Sequence, residues 1–168
     1  MIIYFRHGKD KNVGYKHDER ITKEGKIEIE NFAVKMVEEY GLPDIICYSP
    51  LYRTRQTAKY IIRKIEEIKD DVNIKLLLDP RLGRFFTGKE RDNPDIHRST
   101  YEKGPIIYES KNGFKKRVKK QLQFCKKRRN EGKIIWNITH SLVILRVAEL
   151  ENIDRNSHVE YLDTVVIS

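Results

Sequence analysis

The chain has little cysteine and no long apolar run. It has 168 residues and two cysteines, Cys47 and Cys125, which lie far apart and outside any CxxC motif. Such isolated thiols do not fit a disulfide-stapled module and suit a reducing compartment. No stretch approaches the roughly 20 apolar residues that cross a bilayer, and the amino terminus lacks the apolar region of a signal peptide. We therefore expect a cytoplasmic protein without membrane insertion.

Acidic residues are fewer than basic ones, and the excess of basic residues lies in one segment of the chain. The chain carries 34 Lys and Arg against 25 Asp and Glu, a net charge of +9. Residues 115–130 hold nine basic side chains and no acidic one, so they account for the whole excess. A surface for nucleic acid, anionic lipid or an acidic partner is one interpretation. The favoured one is the solvated back of an amphipathic helix, whose buried stripe would be Phe114, Val118, Leu122 and Cys125.

The composition and the pattern of apolar residues predict one folded domain over residues 1–168. Apolar residues make up 39% and aromatic residues 10%, enough for a single core in a chain of this length. Short β-branched runs predict buried strands at 1–5, 44–48, 74–78, 134–139 and 164–168. Amphipathic segments predict helices from Thr22 to Gly41 and over about 51–69, 111–130 and 141–151.

The alternation of strands and helices predicts an α/β fold. We expect a three-layer sandwich in which a mostly parallel sheet carries helices on both faces. The exception to this regularity is residues 79–110, which are rich in Pro, Gly, Arg and Asp. Their length is too great for a simple connection, so they predict an irregular, lid-like segment.

Basic side chains follow three of the predicted strands. Arg6 and His7 come directly after the first strand, Arg53 shortly after the second, and His140 after the run 134–139. The carboxyl ends of parallel strands meet at one edge of a sheet, where ligands bind beside helix amino termini. Guanidinium groups match phosphate bidentately, and a histidine among arginines resists protonation and keeps a nucleophilic nitrogen. The pattern predicts phosphoryl transfer through a phosphohistidine.

Four motifs occur in a recognisable order along the chain. They are Arg6-His7-Gly8, the segment ITKEG at 21–25, the segment SPLYRTRQTA at 49–58, and Thr139-His140. Together they resemble the RHG, LTxxG, SPLxRAxQTA and late-histidine motifs of the histidine phosphatase superfamily, also called the phosphoglycerate mutase-like family. The resemblance covers nearly the whole chain and implies the phosphoglycerate mutase-like fold.

The resemblance also implies a role for each matching residue. It implies that His7 is the nucleophile and that Arg6 and Arg53 bind the phosphoryl group. It further implies that His140 stabilises the transition state, helped by the backbone N–H groups that follow it, beginning with Ser141. No cofactor is implied, and the five histidines form no pair at the spacing of metal ligands, so we expect no metal.

The chain departs from the family pattern at two positions. The family usually has Thr or Ser two residues after the RHG glycine, as a hydrogen-bond donor to the phosphate, where this chain has Asp10. We expect Asp10 to point away, to pair with a nearby arginine or lysine, or to carry a proton. Arg84 stands where the family's general-acid glutamate aligns, as in some relatives that also lack the acid, short bacterial protein-phosphohistidine phosphatases among them. Asp10 and Glu90 are the candidate replacements.

These observations favour a phosphatase that hydrolyses phosphate esters or phosphoramidates through a covalent phosphohistidine on His7. Its substrate would be a phosphorylated small molecule or a phosphoprotein. The alternative is a weakly active or inactive relative that binds a phosphorylated partner or nucleic acid through its basic surface. A phosphoglycerate-type mutase is less favoured, because a mutase keeps an acid/base partner that this chain lacks at the usual place.

Overall fold

The computed structural model describes residues 1–11, 20–86, 108–155 and 158–168. Within them the strands are β1 (Ile2–Arg6), β2 (Ile45–Tyr48), β3 (Lys75–Leu78), β4 (Ile135–Thr139) and β5 (Thr164–Ile167). The helices are α1 (Lys23–Tyr40), α2 (Tyr52–Ile68), α3 (Lys111–Asn130) and α4 (Ser141–Leu150), with a 3-10 turn at Pro80–Leu82. Each predicted strand and helix is present within one or two residues of its expected bounds.

The strands form one sheet in the order β3-β2-β4-β1-β5. β1, β2, β3 and β4 run parallel, and β5 pairs antiparallel with β1 at the edge. Arg6 pairs in register with Thr139, and Tyr48 of β2 pairs with Ile138. The carboxyl ends of β1, β2 and β4 are therefore adjacent, as the sequence pattern predicts.

The alternation of side chains along β1 divides the core into two halves. Ile3 and Phe5 pack with α1, α2 and Trp136 on one face of the sheet. Ile2 and Tyr4 pack with α3 and α4 on the other face. Successive side chains of a strand point to opposite faces, so a strand that is apolar throughout requires cover on both. The α/β sandwich predicted from the sequence is confirmed.

The boundaries of α1 follow from two residues. The Thr22 side chain accepts a hydrogen bond from the Gly25 amide at 2.9 Å and so caps the first turn. At the other end Gly41 has φ +82°, in the left-handed region, and its amide binds the Val37 carbonyl. Glycine adopts this conformation at no steric cost, which ends the helix.

The predicted burial of β3 is wrong. Its apolar run predicts a buried strand, but Leu76 and Leu78 are exposed. β3 lies at the edge of the sheet and, among the described residues, pairs with β2 alone. An apolar run cannot distinguish a central strand from an edge strand, because both need β-forming side chains.

The basic segment 115–130 lies within α3, and its apolar stripe is confirmed. The four stripe residues are all buried, namely Phe114, Val118, Leu122 and Cys125. The lysines occupy the remaining face, but Arg117 points inward and is itself buried. Its guanidinium binds both carboxylate oxygens of Glu109 and the carbonyl oxygens of Arg81 and Gly83. In the described part of the chain, no helix is long and apolar enough to span a bilayer.

Candidate active site

The sheet brings the four predicted basic residues to one edge. Arg6 ends β1 and His7 follows it, Arg53 lies in the first turn of α2, and His140 immediately precedes α4. The imidazole centroids of His7 and His140 are 5.4 Å apart. Arg53 contacts His140, with 3.5 Å between its Nη2 and Nδ1 of the ring. The site therefore joins residues from three separate parts of the chain.

His7 is held as a neutral ring with one unprotonated nitrogen. Its side chain is buried, with 3% exposure, and Nδ1 lies 2.9 Å from the carbonyl oxygen of Gly8. A carbonyl only accepts, so Nδ1 carries the proton and Nε2 keeps its lone pair. Burial first, and then the Arg53 guanidinium, hold the pKa of His7 well below its usual range, although the bond to Gly8 acts in the opposite direction. His7 thus meets the requirements of a nucleophile at neutral pH.

Two glycines allow the loop after β1 to lie against α1. A Cβ added to Gly8 would lie 2.4 Å from Cδ1 of Ile29, and one added to Gly25 would lie 2.4 Å from the backbone oxygen of Lys9. The Gly8 amide also donates to Oγ1 of Thr57 at 3.2 Å. The glycines of the RHG and ITKEG motifs are therefore required by close packing, which fixes the backbone on either side of His7.

His140 is oriented by a chain of hydroxyl groups. Its Nε2 lies 2.8 Å from Oγ of Ser49, which lies 3.0 Å from Oγ1 of Thr54. The single Thr54 proton faces the carbonyl oxygens of Ser49 and Leu51, so the Ser49 hydroxyl donates to Thr54 and accepts from Nε2–H of His140. Nδ1 is then the acceptor that faces Arg53. Burial, followed by the Arg53 charge, lowers the pKa of His140 well below its usual range.

Tyr161 belongs to the site although no sequence motif marks it. The Arg6 guanidinium lies over its ring at 4.2 Å from the centroid, and the same ring is 5.7 Å from that of His7. Arg6 also donates to the carbonyl oxygen of Val159 at 2.6 Å. The segment before β5 thus forms one wall of the pocket. An isolated tyrosine near a strand carries no spacing signal, so sequence reasoning missed it.

Asp10 lies inside the site and pairs with Arg53. Its Oδ2 is 3.5 Å from Nη1 of Arg53, and the two side chains are only 10% and 8% exposed. Its Oδ1 accepts a hydrogen bond of 3.0 Å from the hydroxyl of Tyr161. Of the three expectations for Asp10, the geometry matches pairing with an arginine. The Tyr161 hydroxyl binds one oxygen of Asp10 and the Arg53 guanidinium faces the other, which argues against Asp10 as the general acid.

Arg84 adds a third guanidinium whose charge acts on both histidines of the site. It is exposed and lies over the ring of Phe86, 5.3 Å from the centroid. Burial and Arg53 contribute more to the lowered pKa of His7 and of His140, but the Arg84 charge contributes to both. Positive charge therefore stands at the position that the resemblance assigns to the family's carboxylic acid.

The other predicted site residues are Ser141 and Glu90. Ser141 is the first residue of α4, whose amino terminus begins at His140. Glu90, the other candidate acid, and most of the predicted lid-like segment lie outside the described residues. Within the described ranges, no three His, Cys, Asp or Glu side chains are grouped as metal ligands.

The family follows from comparison with known proteins. A sequence model of the Histidine phosphatase superfamily (branch 1) matches residues 2–158. The chain therefore belongs to the histidine phosphatase superfamily. A search of curated proteins found no match.

Solved structures show the same fold at low sequence identity. The ecdysone phosphate phosphatase of Bombyx mori, in complex with tungstate, is 16% identical with a TM-score of 0.65, over 97% of this chain and 86% of that one. The alpha-ribazole phosphatase of Shigella flexneri is 16% identical with a TM-score of 0.58, over 89% and 78%. The protein histidine phosphatase SixA, also with tungstate, is 18% identical with a TM-score of 0.57, over 89% and 75%.

Proposed function

We propose that this protein is a metal-independent phosphatase that forms a covalent phosphohistidine on His7. The observation that carries the proposal is the state of the His7 ring. Its Nδ1–H is engaged by the Gly8 carbonyl, its pKa is lowered by burial and by the charges of Arg53 and Arg6, and its ring lies 5.4 Å from that of His140. A buried, neutral and oriented imidazole among cations is suited to attack an anionic phosphorus centre.

The reaction has two balanced half-reactions. The Nε2 lone pair of His7 attacks phosphorus, and the bond from phosphorus to the leaving group breaks with its electron pair on the leaving group. Water then attacks phosphorus, the bond from phosphorus to Nε2 breaks with its electron pair returning to the imidazole, and inorganic phosphate leaves while the excess water proton passes to solvent. Arg6 and Arg53 neutralise charge on the equatorial oxygens, in place of a metal. The N–H groups at the start of α4, beginning with Ser141, add to this field.

His140 responds to the substrate's charge. Before substrate binds, its neutral Nδ1 faces Arg53 and holds that guanidinium in place. A phosphoryl dianion beside the ring favours uptake of a proton from solvent, and the protonated ring can donate a hydrogen bond to a phosphoryl oxygen. His140 is therefore neutral in the free protein and cationic in the transition state.

The proposed substrate class follows from the missing acid. An alkoxide of high pKa needs a proton as it leaves, whereas an aryl oxide, an acyl group or the imidazole of a phosphohistidine needs much less help. Arg84 cannot supply that proton, and Asp10 is engaged by Arg53 and Tyr161. We therefore expect phosphohistidine, acyl phosphate or aryl phosphate substrates. The fold shared with a protein histidine phosphatase is consistent with the first of these.

The test is to trap the intermediate. The protein is mixed with a ³²P-labelled aryl phosphate or phosphoramidate in EDTA, quenched within milliseconds, and assayed for protein-bound label that survives base and is lost in acid. The parent and His158→Asn, which changes an exposed histidine, should both be labelled. His7→Asn should not be labelled. Label that persists in His7→Asn, or activity that requires added Zn²⁺ or Mg²⁺, would contradict the mechanism.

A second candidate function is the binding of a phosphorylated partner without turnover. Arg84 favours this candidate, because it stands at the position that the resemblance assigns to the general-acid glutamate and cannot donate the proton. Vanadate or tungstate that binds the parent, together with no labelled protein and no released phosphate from any substrate, would support this candidate over the phosphatase.

A further inference from the structure

Tyr161 and Asp10 connect the two arginines of the site. The ring of Tyr161 lies 4.2 Å under the Arg6 guanidinium, and its hydroxyl donates to Oδ1 of Asp10 at 3.0 Å. The other carboxylate oxygen of Asp10 lies 3.5 Å from Nη1 of Arg53. A continuous series of contacts thus runs from one guanidinium to the other through two side chains that lie 151 residues apart in sequence.

This arrangement restrains groups that would otherwise repel each other. Two guanidinium groups at one site repel each other through their like charge, and long arginine side chains have many rotamers. The Tyr161 ring holds one guanidinium by its face, and Asp10 holds the other by charge. Each of the two side chains thus contacts one guanidinium directly.

We propose that Tyr161 and Asp10 are positioning residues that hold Arg6 and Arg53 at the separation a phosphoryl group requires. Asp10 acts through Arg53, and Tyr161 acts through both Arg6 and Asp10. The catalytic consequence rests on the proposed function, but the positioning of the arginines can be measured by oxyanion binding alone. The carboxylate at position 10 then serves the site in which it would otherwise repel the substrate.

The direction in which Asp10→Asn changes the affinity for an anion separates a positioning role from a simple charge effect. Asp10→Asn removes a negative charge beside the pocket and keeps the side chain's size. If Asp10 is only a nearby charge, an anion must bind Asp10→Asn more tightly than the parent. If Asp10 positions Arg53, the anion binds more weakly, because a misplaced guanidinium loses its bidentate contact.

The experiment measures tungstate binding by titration calorimetry in phosphate-free buffer, together with kcat and KM for an aryl phosphate. We expect tungstate to bind about 10-fold more weakly to Asp10→Asn and about 5-fold more weakly to Tyr161→Phe, with kcat reduced more than KM is raised. Tyr60→Phe is the control, since Tyr60 is also half-buried but lies on α2 over Lys26. The double variant should bind no more weakly than Asp10→Asn, because both substitutions break one series of contacts.

The tungstate-binding results decide whether Asp10 and Tyr161 have positioning roles. Unchanged or tighter tungstate binding in Asp10→Asn overturns it, as does additive loss in the double variant. If Asp10→Asn does not fold, as judged by circular dichroism, the conservative Tyr161→Phe still decides, and unaltered binding there overturns the proposal. Weaker binding in both variants of a protein that never hydrolyses a phosphate ester or forms labelled His7 would support the positioning roles and refute the phosphatase.

Discussion

At the scale of single residues, the protonation state of His7 sets the pH range of the proposed reaction. Burial and Arg53 lower the pKa of His7, so the ring stays neutral below the usual histidine range. Attack needs the neutral ring, so activity falls only when pH drops below that lowered pKa. We expect the acid limb of kcat/KM for an aryl phosphate to lie below about pH 6.5, after correction for substrate ionisation.

The variant Arg53→Gln tests the cause of that limb. It removes the second-largest contribution to the lowered pKa of His7, after burial. The limb should therefore move to higher pH, while the rate falls by about 100-fold or more through lost charge stabilisation. A limb at or above pH 6.5 in the parent would show that the free protein does not hold His7 neutral.

A second prediction at this scale concerns the proton donor. We expect kcat/KM to fall steeply across phosphate esters of rising leaving-group pKa, because no acid supplies the ~100 to 10,000-fold that general acid catalysis contributes. Asp10→Asn should lower all rates and leave the slope unchanged, since Asp10 is held by Arg53 and Tyr161. Glu90→Gln is measured beside it. A flat parent profile that steepens in one variant would identify that residue as the acid.

At the scale of elements, the start of α1 illustrates how packing overrides helix propensity. Gly25 and Gly113 occupy the same position, third in α1 and third in α3, and each donates its amide to a capping hydroxyl. Alanine is favoured over glycine in helices by about 1 kcal/mol. At Gly25, however, a Cβ would lie 2.4 Å from a backbone oxygen, whereas at Gly113 its nearest neighbour is a side-chain carbon at 3.3 Å.

The two alanine variants should therefore differ in size of effect. We expect Gly25→Ala to lower the free energy of unfolding by about 1 to 3 kcal/mol, as overpacking does. Gly113→Ala should change it by less than about 1 kcal/mol, because the gain in helix propensity offsets the close contact with Glu109. Urea titration of the two variants and the parent measures both. Equal effects would show that the loop after β1 yields readily, contrary to the close packing of the RHG segment.

The basic end of α3 lies at the other end of the sheet from the pocket. Arg129 donates to the backbone oxygen of Ser168, directly after β5. Burial and, to a smaller extent, the Arg129 charge lower the pKa of the amino terminus, so Arg129 is also near Met1. β5 pairs antiparallel with β1, and Ile167 pairs with Ile2, so Ser168 is near the amino end of β1. The pocket begins at the carboxyl end of β1.

Charge removal at this end should therefore leave catalysis intact. Replacing the cluster Lys126, Lys127, Arg128 and Arg129 by Gln should change kcat and KM for a small phosphate ester by less than about 2-fold, because exposed charges beyond a Debye length are screened. Salt-sensitive binding to heparin or nucleic acid should weaken. The measurement is steady-state kinetics beside polyanion binding at two salt concentrations. A large rise in KM would place the cluster at the site.

At the scale of the whole molecule, the buried histidines couple folding to pH. The pKa values of His7 and His140 are both lowered in the folded protein. As pH falls below about 6.5, the unfolded chain takes up these protons and the folded chain does not, so stability present above pH 6.5 is lost on acidification. Each histidine contributes a slope of up to about 1.4 kcal/mol per pH unit.

Urea unfolding at pH 7 and pH 5 checks this coupling. We expect the loss of stability between the two pH values to be smaller in His140→Asn than in the parent, whatever the variant's stability at pH 7. His158→Asn, at an exposed position, should lose as much as the parent. Phosphate must be absent, because a bound anion stabilises the folded state by mass action. An identical loss of stability in His140→Asn and the parent would contradict a lowered pKa of His140 in the folded protein.

The periodic features of the fold were accessible from sequence because they depend on neighbours along the chain. Apolar runs and 3.6-residue periodicity located the strands and helices, and Thr22 and Gly41 marked the ends of α1. The convergence of Arg6, His7, Arg53 and His140 also followed, since parallel strands place their carboxyl ends together. Their catalytic roles stay predictions until His7 and its neighbours are tested.

What only the tertiary structure decided depends on residues that are distant in sequence. The edge position of β3, the inward direction of Arg117, and the contact of Asp10 with Tyr161 carry no local signal. Asp10 alone left three arrangements open, because a carboxylate's state depends on which donors the fold brings to it. Local propensity therefore determined the elements and the edge at which the site forms, and packing determined which partner each charge in that site meets.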